Sequence, residues 1–359
     1  MRSIPALIAL LCIALAASGV QWAAAAQNPL AKAEQLLAAG NAARALELIE
    51  AAPQARDARG LEFKGRCLLA LERLDQAQAA FQQAVTKAET HGDRLTLGRA
   101  HVGLGALALR RGEVDAADRS LKRGVGVLER TGHKLAAVPA YVRLAETALA
   151  RNDPQSALSY LFMAESILAT HPSNPARLDI YTGVVAIYER QEQLKQAIPY
   201  MESAYREVAA RNKTAQMRAW CYRISRAYEK TADLEKALAW QQKELELAQT
   251  LGRTADIPGI LVDLGVLSFK HKKSVQGRAY FEQALELLHS AGDEVKQADV
   301  LWQLSEVYAL LEDYGQAAAA MRRCLEIEQR INAPELAQDR ERLKRFERLN
   351  NPEKERDDE

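Results

Sequence analysis

Aromatic residues are scarce, at 6% of 359 residues, cysteines number only four, and charge of neither sign is in excess. Few rings argue against a β-sandwich, whose faces prefer aromatic and β-branched side chains, and the abundant alanine favours close helix packing. A formal net charge of +1, from 48 Lys and Arg against 47 Asp and Glu, argues against a nucleic-acid binder built on a bulk positive field. A local basic strip remains compatible with it. Beyond the first segment the cysteines are Cys67, Cys221 and Cys324, an odd and widely spaced set that is no disulfide framework. They read as packed thiols, since a long helical fold needs no staples. The one extended apolar run, Ile4 to Ala17, is short for a membrane span, which takes roughly 20 residues. What is present, 48% apolar and 26% charged residues, is the composition of a folding chain.

The start reads as an address. Met1-Arg2-Ser3 carries one positive charge, the apolar run follows, Ser18-Gly19 loosens the chain, and Ala23 to Ala26 supply small residues before Gln27. That is the layout of a secretory signal peptide over residues 1–26, with cleavage expected after Ala26 and a periplasmic or secreted product. An uncleaved N-terminal membrane anchor is the alternative. Cys12 follows Leu11 inside the run, so it is not read as a lipid-attachment cysteine. Loss of Arg2 would leave 48 − 1 = 47 basic residues against 47 acidic ones, a neutral product with no later membrane span.

A period dominates the rest. An alanine followed four residues later by a bulky residue and seven later by a small one occurs at Ala77, Phe81, Ala84 and again at Ala117, Leu121, Gly124. The starting positions 77, 117, 157, 197, 237, 277 and 317 are each 40 residues apart. The copy at Ala237 is weaker, with Gln241 and Glu244 in the other slots. Ala45, Ile49, Ala52 makes one more unit, 32 residues before Ala77. Twelve residues before each anchor stands a small residue, from Gly65 and Gly105 to Ser305, with Val185 the misfit. Fifteen residues after it stands Gly92, Gly132, Pro172, Asn212, Gly252, Gly292 or Asn332. Gly and Asn tolerate the left-handed conformation that closes a helix, and Pro stops one. Two apolar stripes at helical spacing fill each unit, such as Ile260, Leu261, Leu264, Leu267 and then Tyr280, Phe281, Ala284, Leu285, Leu288. Pro139, Pro154 and Pro258 are expected at helix starts, and Pro199, inside a second helix, predicts a late start or a kink.

The small slot and the Ala-Phe-Ala slots, Gly65, Ala77, Phe81, Ala84 and their copies, resemble those of the tetratricopeptide repeat (TPR) family, in a long 40-residue variety. The resemblance covers about Pro29 to Pro334. It implies an all-α fold, a right-handed α-solenoid of stacked helix-turn-helix repeats, because a lone helix pair cannot bury its apolar faces and stacked neighbours can. The expected organisation is a divergent first unit at 27–57, seven repeats at 58–337, and a capping helix (Glu335 to Leu349) with a charged tail at 338–359.

The resemblance also places a groove wall on the first helix of each unit, three residues before and one after the small slot. Those positions include Glu62 and Arg66, Val102 and Ala106, Thr182 and Ala186, Tyr222 and Arg226, Val262 and Val266, Trp302 and Glu306. Arg99 and Phe269 are neighbours. The candidate partner-binding set is therefore Arg66, Arg99, Thr182, Tyr222, Arg226, Phe269 and Trp302, since aromatics and Arg dominate binding hot spots. The bland reading of any one large ring is packing against the adjacent unit. The Lys-and-Asn pattern that clamps a terminal carboxylate in chaperone-binding relatives is missing: Thr182-Gly183 and Val262-Asp263 stand in its place.

The catalytic inventory is thin. None of the six histidines makes an H-E-x-x-H or C-x-x-C pattern, so no metal site is expected. There is no G-x-S-x-G elbow and no phosphate loop, and no cofactor is expected. Carboxylate pairs such as Glu244 and Glu246 read as solvated helix faces. The leading expectation is a non-enzymatic periplasmic scaffold for envelope assembly or export, binding a protein or peptide and no nucleic acid. The alternative is a regulatory solenoid that changes conformation on binding a peptide or small ligand.

Overall fold

The structure, a computed structural model, describes residues 29–331, 334 and 336–351. The expected leader, Asn332, Glu335 and the charged tail from Pro352 lie outside the described residues. The chain divides into two units, at 1–180 and 181–359. Each is a stack of helical hairpins, the all-α solenoid architecture, and there is no strand among the described residues.

In the first unit, α1 (Pro29–Ala38) and α2 (Ala42–Glu50) form a short hairpin. Three longer ones follow: α3 (Ala58–Ala70) with α4 (Leu74–His91), α5 (Arg94–Arg110) with α6 (Val114–Arg130), and α7 (Lys134–Ala150) with α8 (Pro154–Leu168). The first helices pack side by side, α3 on α5 and α5 on α7. The division falls inside α9 (Ala176–Arg190). The second unit continues with α10 (Leu194–Ala209), α11 (Thr214–Lys230), α12 (Leu234–Thr250), α13 (Ile257–Lys270), α14 (Ser274–Ala291), α15 (Glu294–Leu310), α16 (Tyr314–Ile331) and α17 (Leu336–Asn350). No helix of the described residues is long and apolar enough to cross a membrane.

The turn inside each hairpin recurs to the residue. Glu72, Gly112, Asn152, Glu192, Ala232, Lys272 and Glu312 are all left-handed, and they stand 40 apart. The next N–H returns to the carbonyl five residues back, as in Arg73 to Leu68 at 2.9 Å and Glu113 to Ala108 at 2.8 Å. This closure satisfies carbonyls that a helix end otherwise leaves open. Gly92, Gly132, Asn212, Gly252 and Gly292 are left-handed at the joints between hairpins, as their composition predicts. Asp93 and Asp293 then cap the next helix, accepting from the N–H groups of Thr96 and Lys296.

The small slots let helices approach. A Cβ built on Gly65 or Gly103 would lie 2.6 or 2.3 Å from the Phe81 ring, and one on Gly265 2.7 Å from Phe281. Anchors and their bulky partners are buried throughout, and so is Val185, the misfit. The hairpin α11/α12 departs from the rule: Ser225, Gln241 and Glu244 occupy its core slots and are all buried. Ser225 Oγ donates to the Ala237 carbonyl at 2.8 Å, and Gln241 Nε2 donates to Glu244 Oε2 at 3.2 Å. Cys67, Cys221 and Cys324 are free and buried, and burial pushes the first two thiols up to about 12.

Two proline-based expectations of where a helix starts are corrected. Pro139 does not open a helix: it lies inside α7, which begins at Lys134. Pro199 lies inside α10, which begins at Leu194 and is not delayed. In both helices the fixed turn residue ahead, Gly132 or Glu192, sets the start, and the proline costs one interior hydrogen bond. At the end, α17 buries Asp339 and Phe346, lays Arg342 over Trp302, and leaves most of its other charged residues exposed.

Candidate functional site

Each unit carries a groove along its first helices. In the first unit a cavity of about 820 Å3 is lined from α3 by Glu62 and Arg66, from α5 by Arg99, Val102, Ala106 and Arg110, and from α7 by Pro139 and Arg143. Arginines dominate it. Arg66 also stacks over Phe63, with its guanidinium carbon 5.4 Å from the ring centroid. Glu62 is the single carboxylate in the wall. Burial raises its pKa, against the opposing pull of Arg66 and Arg99.

The second unit has a cavity of about 1110 Å3, and its chemistry is reversed. Arg218 and Tyr222 come from α11, Glu244 from α12, Val262, Asp263, Val266 and Phe269 from α13, Asp299, Trp302 and Glu306 from α15, and Asp339 from α17. Arg218 and Lys296 are the basic residues of its lining. Glu244 is only 6% exposed, and burial pushes its carboxyl up to about 7; Arg218 opposes this, and Asp263 and Asp256 reinforce it. Burial raises Asp263 as well. A carboxylate shifted by burial in a cleft marks a candidate functional site.

The sequence-derived candidates divide between these places. Arg66 and Arg99 line the first groove, and Tyr222, Phe269 and Trp302 the second. Tyr222 is 44% exposed and open to a ligand. Trp302 is half covered by the cap: its Nε1 donates to Asp339 Oδ1 at 3.1 Å, and Arg342 lies 4.7 Å over its ring. For this ring the packing reading holds in part. Arg226 is turned to Glu229 at 2.7 Å and is not in the cavity lining, and Thr182, exposed on α9, lies in neither lining. Glu244 was missed. It is not on a solvated face, although Glu246 is exposed. The available signal was its slot, which is small in the other copies.

Two stretches match the tetratricopeptide repeat, residues 58–90 and 298–330. Their starts lie 298 − 58 = 240 residues apart, six of the 40-residue steps between anchors. No curated protein matches the sequence. Among solved structures, the chain is similar to the apo form of RapI, with 12% identity over 77% of this chain and 98% of that one, at a TM-score of 0.45. It is similar to aspartyl phosphate phosphatase F from Bacillus subtilis, with 12% identity over 89% and 93% and a TM-score of 0.39. A third similar structure is the C-terminal part of a TPR repeat-containing protein from Cytophaga hutchinsonii, with 17% identity over 86% and 98% and a TM-score of 0.44. The two matched stretches fall on α3/α4 and α15/α16, one hairpin in each unit, so each unit of this chain carries a tetratricopeptide repeat.

Proposed function

We propose that this protein is a non-enzymatic scaffold of the bacterial envelope that holds a protein or peptide partner in the grooves along its first helices. One observation carries the groove: Tyr222, Val262 and Trp302, the same slot in three successive first helices, line one continuous cavity. A strip that repeats along a stack suits an extended segment rather than a compact small molecule. Repeats of this family are typically non-catalytic. The location rests on the leader expected at 1–26.

A photo-crosslinking residue at Tyr222, in cells expressing the full chain, should capture a stoichiometric envelope protein. The same residue at Val275, 62% exposed on α14 and outside both linings, should capture little of it. Equal capture at both positions would remove the groove. N-terminal sequencing of the mature protein should begin at Gln27, and a chain still starting at Met1 in the membrane fraction would favour the anchor.

A further inference from the structure

The cavity of the second unit holds more carboxylates than its own cations neutralise. Arg218 takes Asp256 at 2.6 Å, and Arg342 takes Glu306 and Asp339 at 2.8 Å each. Glu244 and Asp263 form no ion pair among the described residues, although Arg218 acts on the first and Arg226 on the second from a distance, and burial outweighs both. Glu244 is almost wholly buried and accepts a hydrogen bond from the Gln241 amide, whose own Oε1 is buried without a partner. Removing a carboxylate from water without a counter-ion is costly, and the cost is recovered when a cation arrives from outside.

The chain itself shows what kind of cation this wall accepts. The Arg342 guanidinium is seated over Trp302 and held by two carboxylates in the same cavity. Tyr222 stands two hairpins earlier at the slot of Trp302, with Val262 between. It is the more exposed of the two rings, and no cation lies over it among the described residues. We infer that the second unit's cavity binds a basic segment of a protein partner, one lysine or arginine side chain entering beside Glu244 and Asp263 with its aliphatic stem against Tyr222, Val262 and Val266. The geometry suits that side chain better than a bare ion. A long stem packs on apolar wall while its head is paired in a desolvated place, and a ring face adds cation attraction. The inference rests on the reading of this cavity as a partner groove.

A fluorescein-labelled hexa-arginine peptide, titrated with the mature full-length protein at pH 8, should give saturable anisotropy. Glu244→Gln combined with Asp263→Asn should weaken it about tenfold or more. Both changes keep shape, and melting curves of the variant without peptide should show a cooperative fold. Hexaglutamate should not compete. Undiminished binding by the double variant, or no saturable binding by the natural protein, overturns the inference. The groove itself is judged separately: if the partner crosslinked at Tyr222 is recovered in full with the double variant, the groove stands and the basic segment falls.

Discussion

Phe81 in the first unit and Gln241 in the second occupy the same slot of the same hairpin, four residues after the anchor alanine. Phe81 is fully buried against Gly65 and Gly103, whose missing side chains make room for the ring. Gln241 is almost as buried but donates to Glu244, and the buried Ser225 of the same hairpin donates to the Ala237 carbonyl, so that hairpin closes on polar groups. The grooves differ in the same sense. Arg66, Arg99, Arg110 and Arg143 line the first, while Glu244, Asp263, Asp299 and Asp339 line the second. The backbone of the repeat is held by left-handed turns and small anchors. The remaining slots are then free to diverge in chemistry without loss of the fold.

The largest effect should come from breaking the apolar version. Phe81→Ala leaves a cavity between two glycines that cannot fill it, and denaturant unfolding should show a loss of about 3–5 kcal/mol. The counterpart is to write the apolar rule into the second unit, as Gln241→Leu with Glu244→Ala. Replacing a buried polar pair by well-packed apolar groups is commonly neutral or stabilising by about 1–4 kcal/mol. A large loss from that double change would show that the polar pair supports the fold, and the comparison would have to be redrawn.

Next comes the pH dependence of the polar version. Glu244 is raised from its usual 4.5 to about 7, first by burial and then by Asp263 and Asp256, with Arg218 opposing and Gln241 bonded to it. The folded chain therefore holds this proton more tightly than the unfolded chain does. Its contribution to stability is full below about pH 4.5 and falls as pH rises through 7. Glu244→Gln should accordingly stabilise by up to about 3 kcal/mol at pH 8 and by almost nothing near pH 4. A gain independent of pH would mean that the carboxylate is solvated after all.

Much of this architecture is legible in the sequence. Equal spacing predicted the joints, because a left-handed residue must recur wherever identical hairpins close, and Gly92 and Gly292 do so. The rule of three before and one after the small slot led to Glu62, Arg66, Tyr222, Val262 and Trp302, which line the cavities. Their fate was hidden. Trp302 is covered by Asp339 and Arg342, at least 37 residues further on, and Arg226 is drawn aside by Glu229 on its own helix. Pro139 misled because proline is common at helix starts, whereas Gly132 had already fixed the start at Lys134. Glu244 was discounted as one surface carboxylate among many. The period itself placed it in a core slot, and the departure from the repeat marked the site better than any motif.

The smallest effect tests the shared part of the two units, the turn. Gly112 in the first and Ala232 in the second hold the same left-handed place, at φ 74° and 65°. Glycine occupies that region without strain and alanine does not, so Ala232 sits at a disadvantage of about 1 kcal/mol that tertiary packing overcomes. Ala232→Gly removes this strain but gives the unfolded chain more freedom, and the net gain should be no more than about 1 kcal/mol. Gly112→Ala should lose about as much, since both terms then reverse. Opposite signs in thermal unfolding would show that one backbone geometry is imposed on both hairpins regardless of residue. Equal signs would mean that the turns are held differently, and the common frame beneath the two grooves would be lost.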